Sequence, residues 1–113
     1  MDMLFLLVVA LMFVHELDAI LQREYRFFFA FLDDVTAYRV FTAAHIPLFI
    51  WVMANLNAPL FQIGFSAFAI LHAGLHWFLR KHPLIEFRNT FSRVIIYGAA
   101  ASGIASLLAL ASG

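Results

Sequence analysis

The chain has no cysteine. That absence removes disulfides, thiolate metal ligands, a cysteine nucleophile and any iron–sulfur cluster held by cysteine, so a metal would have to be held by nitrogen and oxygen. Charge is scarce too, at 12% of 113 residues against 65% hydrophobic. So little polar surface cannot cover a soluble globule of this size. Seven basic and seven acidic residues cancel, which leaves no footprint for nucleic acid. Lys and Arg are missing from the residues before the first apolar stretch, from the turn Asn55 to Pro59 and from the carboxyl end. A cleaved secretory signal needs a basic start and a small-residue cleavage site, and neither precedes His15. The first apolar stretch is therefore expected to be a retained helix that also targets the chain.

Four apolar stretches remain, Met3 to Leu21, Ala37 to Leu56, Pro59 to Leu79 and Phe91 to Ala111. At about 19 to 21 residues and 1.5 Å per residue, each spans the ~30 Å of a hydrocarbon core. The expectation is an all-α integral membrane protein, one domain over residues 1–113, built as an up-and-down four-helix bundle. Arg23, Arg26 and Arg39 flank the connection 22–36, and Arg80, Lys81, Arg88 and Arg93 flank the connection 80–90. By the positive-inside rule both connections face the cytoplasm and both termini face out. Thirteen of the fourteen charged residues and all five histidines then lie in or near one side of the bilayer. The first connection mixes Tyr25, Phe27, Phe28, Phe29 and Phe31 with charge, a composition suited to the headgroup boundary. Gly98, Ser102 and Ser106, with Ala99 and Gly103 beside them, mark the fourth stretch for close packing, within the bundle or in a homodimer.

Depth assembles a candidate site from scattered residues. Counting from the helix ends puts His15, His45 and His72 at about 9, 12 and 10 Å, on three different helices. His76 lies one turn from His72 on the same face, Asp18 shares the face of His15, and Tyr97 reaches the same layer from the fourth helix. Ionisable residues in a membrane are costly and mark ligand, metal or proton sites, although histidines also serve as hydrogen-bonding glue between helices. His15, Asp18, His45, His72 and His76 make a nitrogen and carboxylate ligand set for Zn²⁺, Fe²⁺ or Mn²⁺. Glu16 is the spare carboxylate, a candidate general base for a metal-bound water. His45 and His72 could instead serve as axial ligands of a haem. Arg23, Glu24, Arg26, His82 and Glu86 stand around this layer as supporting residues, with His82 in the surface connection beside Pro83. Pro47 removes the hydrogen bond to the carbonyl of Ala43 beside His45.

The pattern His15-Glu16-Leu17-Asp18-Ala19, Arg23-Glu24-Tyr25-Arg26, His45-Ile46-Pro47-Leu48-Phe49, His72 with Leu75-His76, and His82-Pro83 with Glu86-Phe87 resembles a small bacterial family of four-helix membrane proteins. The resemblance implies the same topology and a bacterial inner-membrane setting, and brings no reaction with it. A more distant similarity is to the membrane family named for a His-x-x-Glu-Glu motif, where this chain has Asp18-Ala19 in place of the paired glutamates. The function classes that follow are a metal-dependent enzyme acting on a lipophilic substrate that enters from the bilayer, a haem-binding or proton-pathway protein, and a structural membrane subunit.

The topology has a direct test, because a chain without cysteine accepts single cysteines as labels. On intact cells an impermeant thiol reagent should modify Ser112→Cys and spare Asn89→Cys. The reverse pattern would invert the orientation.

Overall fold

The computed structural model describes residues 3–85 and 89–112, and its regular structure is entirely helical. Four long helices, α1 (Met3–Leu21), α3 (Asp34–Ala54), α4 (Pro59–Phe78) and α5 (Thr90–Ser112), are joined by short links, with one short helix, α2 (Tyr25–Phe28), between α1 and α3. Each of the four is long and apolar enough to cross a membrane. A helix satisfies its own backbone hydrogen bonds, which is the condition hydrocarbon imposes.

Local chemistry sets the helix ends. α3 starts at Asp34, three residues ahead of the expected Ala37, because Asp33 caps it. The extended Asp33 accepts the Thr36 N–H at 3.1 Å and the Thr36 hydroxyl at 3.0 Å, filling an otherwise unpaired donor of the first turn. These two bonds, the hydroxyl's foremost, hold the Asp33 carboxyl below its ordinary range. α4 opens on Pro59, a position where the missing N–H costs nothing. Pro47 lies inside α3 without ending it.

α5 packs closely on both α1 and α4, and α1 and α4 meet only lightly. The face α1 buries runs through Phe5, Val8, Met12, His15 and Asp18, spaced by three and four residues, so one helical stripe passes from apolar to ionisable. On α5 the buried stripe is Ser92, Ile96, Ala99, Gly103 and Ser106. Gly98 and Ser102, expected at the centre of the contact, lie on its flank and are only half-buried. Gly103 marks the close approach. A Cβ there would stand 2.7 Å from the Ser66 carbonyl oxygen of α4, whereas at Gly98 the nearest atom is Leu11 Cδ1 at 3.7 Å. The tightest small-residue contact of α5 is therefore spent on α4 within the chain, which withdraws Gly103 from the homodimer contact expected of this helix.

α3 stands apart from this trio. It reaches its neighbours through rings, with Phe13 to Phe49 at 4.5 Å, Trp51 to Phe61 at 5.1 Å and Tyr25 to Phe41 at 6.3 Å between centroids. The gap left between α1, α3 and α4 is a cavity of about 590 Å³, walled by Phe13, Phe49, Phe61, Phe65 and Phe68, with Glu16 its one ionisable lining residue among the described residues.

Gly103→Ala should destabilise the folded protein by about 1–3 kcal/mol, since a backbone oxygen cannot step aside as a side chain can. Gly98→Ala should stay within about 0.5 kcal/mol of the parent. Thermal unfolding in detergent micelles, followed by helicity, compares the two. Equal effects would show that the α4 to α5 approach is not limited at Gly103.

Candidate metal centre

The polar residues begin at the end of α1. Its last turn closes with Arg23 N–H bonded to the Ile20 carbonyl at 3.2 Å and Glu24 N–H to the Ala19 carbonyl at 3.0 Å. This is the pair of bonds that ends helices through a left-handed residue, and Arg23, with φ 57°, takes the position usually given to glycine. The turn reverses the chain and sends Glu24 back against α1. Its carboxylate is buried and meets three imidazoles.

His15 comes from α1 and is fully buried, while His72 and His76 come from one face of α4. Their ring centroids lie 4.4 Å (His15 to His72), 4.5 Å (His72 to His76) and 5.1 Å (His15 to His76) apart, all edge to face. Glu24 Oε2 stands 3.6 Å from His15 Nε2 and 3.7 Å from His76 Nε2. One ligand atom from each of the four residues can be chosen so that all lie within 4.8 Å of one another. The 3.6 and 3.7 Å separations are too long for hydrogen bonds. They are close to the ~3.3–3.4 Å that separates ligands around a tetrahedral ion with bonds of ~2.0–2.1 Å. Glu24 Oε2 and His72 Nδ1 are buried with no hydrogen-bond partner among the described residues. Burial first, and then the neighbouring Glu16 and Asp18, push the Glu24 carboxyl up to about 8. A bound cation would reverse that penalty.

His45 and Asp18, both expected as ligands, are committed elsewhere. His45 Nδ1 donates to the Phe41 carbonyl at 2.7 Å, and its Nε2 lies 2.5 Å from Glu16 Oε2. Since the carbonyl can only accept, Nδ1 carries a hydrogen, and a further proton must sit between Nε2 and the carboxylate. Glu16 is thus one half of a proton-sharing pair on the cavity wall. Both ring nitrogens of His45 are engaged in these bonds. Asp18 accepts from the Ser92 hydroxyl of α5 at 2.5 Å and from Gln22 Nε2 at 3.3 Å, a buried tie between α1 and α5.

The supporting residues divide similarly. Arg26 lies 3.9 Å from Asp34, and His82 stays in its connection, where Nδ1 accepts the Leu84 N–H at 3.1 Å and the ring packs on Phe27. Tyr97 lines a second cavity, which it shares with His76 of the cluster. Glu86 lies outside the described residues. Glu24, expected only in support, becomes the cluster's carboxylate. Its signal in the sequence was faint, because a turn built on arginine in place of glycine is not visible from composition.

A protein-family model with the description "Family of unknown function (DUF6713)" matches residues 1–113. No curated protein and no solved structure matches the chain.

Ser92→Ala should cost about 1–3 kcal/mol by leaving the buried Asp18 carboxylate without its donor from α5. The same substitution should leave the metal content of the purified protein unchanged. A loss of metal together with stability would return Asp18 to the ligand set.

Proposed function

The chain belongs to this family of unknown function, which lends it no reaction, and from that premise we propose a membrane-embedded protein that binds a divalent metal through His15, His72, His76 and Glu24 and uses it on a lipophilic substrate. The observation that carries the reading is the cluster itself, in which one ligand atom from each of four residues lies within 4.8 Å of the others, while Glu24 Oε2 and His72 Nδ1 are buried without hydrogen bonds among the described residues. A structural role for these residues accounts for the Asp18 to Ser92 tie but leaves Glu24 Oε2 and His72 Nδ1 unsatisfied in a setting where that is costly. Three imidazoles and one carboxylate suit Zn²⁺, Fe²⁺ or Mn²⁺. Such an ion supplies Lewis acidity when bound.

The substrate side of the reading rests on the large cavity. Its aromatic walls exclude water and favour a hydrocarbon chain, and its 590 Å³ falls within the range of small-molecule sites. Phe68 on its wall packs against the His72 ring at 5.7 Å, so the cavity ends one ring from the cluster. Glu16 and His45, sharing a proton at the same wall, can give it to or take it from a group held there. The positive-inside rule supports placing this end of the protein in the cytoplasmic leaflet.

Metal analysis of protein purified in chelator-free detergent tests the centre. The wild type should carry about one ion per chain, and His72→Ala, His76→Ala and Glu24→Gln should each reduce affinity by more than the 10–100-fold typical of outer-shell changes. His45→Ala and Asp18→Asn should retain the metal, and Glu16→Gln should retain it while losing turnover. A wild type that holds no Zn²⁺, Fe²⁺ or Mn²⁺ and gains no thermal stability from any of them would end this reading.

A further inference from the structure

A second cavity, of about 290 Å³, opens where α4 ends and α5 begins. Arg80, Arg93, Tyr97 and His76 line it, and the buried Ile85 and Ile96 form its apolar floor. The guanidinium of Arg80 is held in place, since its Nη1 donates to the Trp77 carbonyl at 2.7 Å and its Cζ lies over the Trp77 ring, 3.8 Å from the centroid. One donor of five is used there, and the rest remain available. Arg93 projects from the first turn of α5 into the same space. Among the described residues the ion pairs of arginine comprise only Arg26 with Asp34, and no carboxylate lines this cavity. Glu24 stands in the cluster, 3.7 Å from His76 Nε2.

We infer that this cavity is a binding site for a phosphate group, carried by a phospholipid headgroup or free in solution. Two guanidiniums and a phenol present a donor array that matches three terminal phosphate oxygens, and arginine forks fit phosphate in two-point contact. Basic pockets between membrane helices receive anionic headgroups in this way. Arg80 on Trp77 is pre-set for such a contact, so little side-chain freedom is lost on binding. The site is independent of the metal reading, because none of its three donors belongs to the cluster.

The test is lipid titration of the purified full chain in dodecyl maltoside, read by native mass spectrometry, with phosphatidic acid and diacylglycerol of the same acyl chains. Thermal unfolding with added inorganic phosphate forms a parallel arm. A single saturable phosphatidic acid adduct is expected, with diacylglycerol at least tenfold weaker. The Arg80→Gln, Arg93→Gln double variant should weaken the adduct at least tenfold, equivalent to about 1.4 kcal/mol. Arg39→Gln, outside the cavity, and His72→Ala should bind as the wild type. The Arg80→Lys, Arg93→Lys variant keeps the charge but loses the fork and should fall between, which guards against a folding defect in the neutral pair. Stabilisation by inorganic phosphate that depends on the two arginines, without a lipid adduct, would support a site for soluble phosphate. Equal binding by wild type and the neutral double variant, or equal binding of the two lipids, would overturn the inference.

Discussion

A polar group held away from water must find its partner inside the chain, and the interior of this protein is arranged around that demand. α1 carries His15, Glu16 and Asp18 within one turn, and the residues point three ways. Asp18 is completed by Ser92 of α5, and Glu16 by His45 of α3. His15, fully buried, is met by two imidazoles of α4 and by Glu24. Each of the three polar residues thus binds α1 to a different element. The first two sets close on themselves through hydrogen bonds, and the third leaves buried atoms of Glu24 and His72 without them. An unclosed polar set amid closed ones is the feature that packing alone leaves unexplained, and it is the one on which the metal proposal rests.

The turn after α1 decides that the third set contains a carboxylate at all. Arg23 adopts φ 57°, a conformation that costs an ordinary residue roughly 1–2 kcal/mol. The cost is met by the two backbone bonds to Ile20 and Ala19, and the outcome is a buried Glu24. Strain at a single backbone position that delivers a charged group to a cluster of potential ligands is a pattern found at functional sites. Without that reversal, Glu24 would continue outward with the other charges of the connection.

The all-helical class and the four long apolar helices were legible in the sequence because length and hydropathy alone determine what can cross hydrocarbon. The start of α3 was less so, since the cap at Asp33 extends the helix beyond its apolar core. For the site, counting residues recovers depth but not rotation about the helix axis. Counting puts His15, His45 and His72 at one level and His76 one turn away, yet the ring of His45 faces Glu16 while the other three face one another. On α5 the same limit moved the contact from Gly98 and Ser102 to Ala99 and Gly103, a rotation of about 100° per residue. Glu24 escaped because its position depends on a turn that arginine disguises.

The packing of α5 explains why the cluster has neighbours of opposite character. Close approach at Gly103 and Ser66 draws α4 and α5 together, while α3 is held by aromatic rings and by the His45 to Glu16 bond, with the large apolar cavity on the α3 side. Beyond the close contact, the smaller basic cavity lies where α4 ends and α5 begins. His72 adjoins the first through Phe68, and His76, one helical turn away, lines the second. Two histidines of one helix face therefore stand beside spaces of opposite character, one walled by aromatic rings and one lined by Arg80 and Arg93, because the same helix that packs on α5 through its small residues turns its other face toward α3.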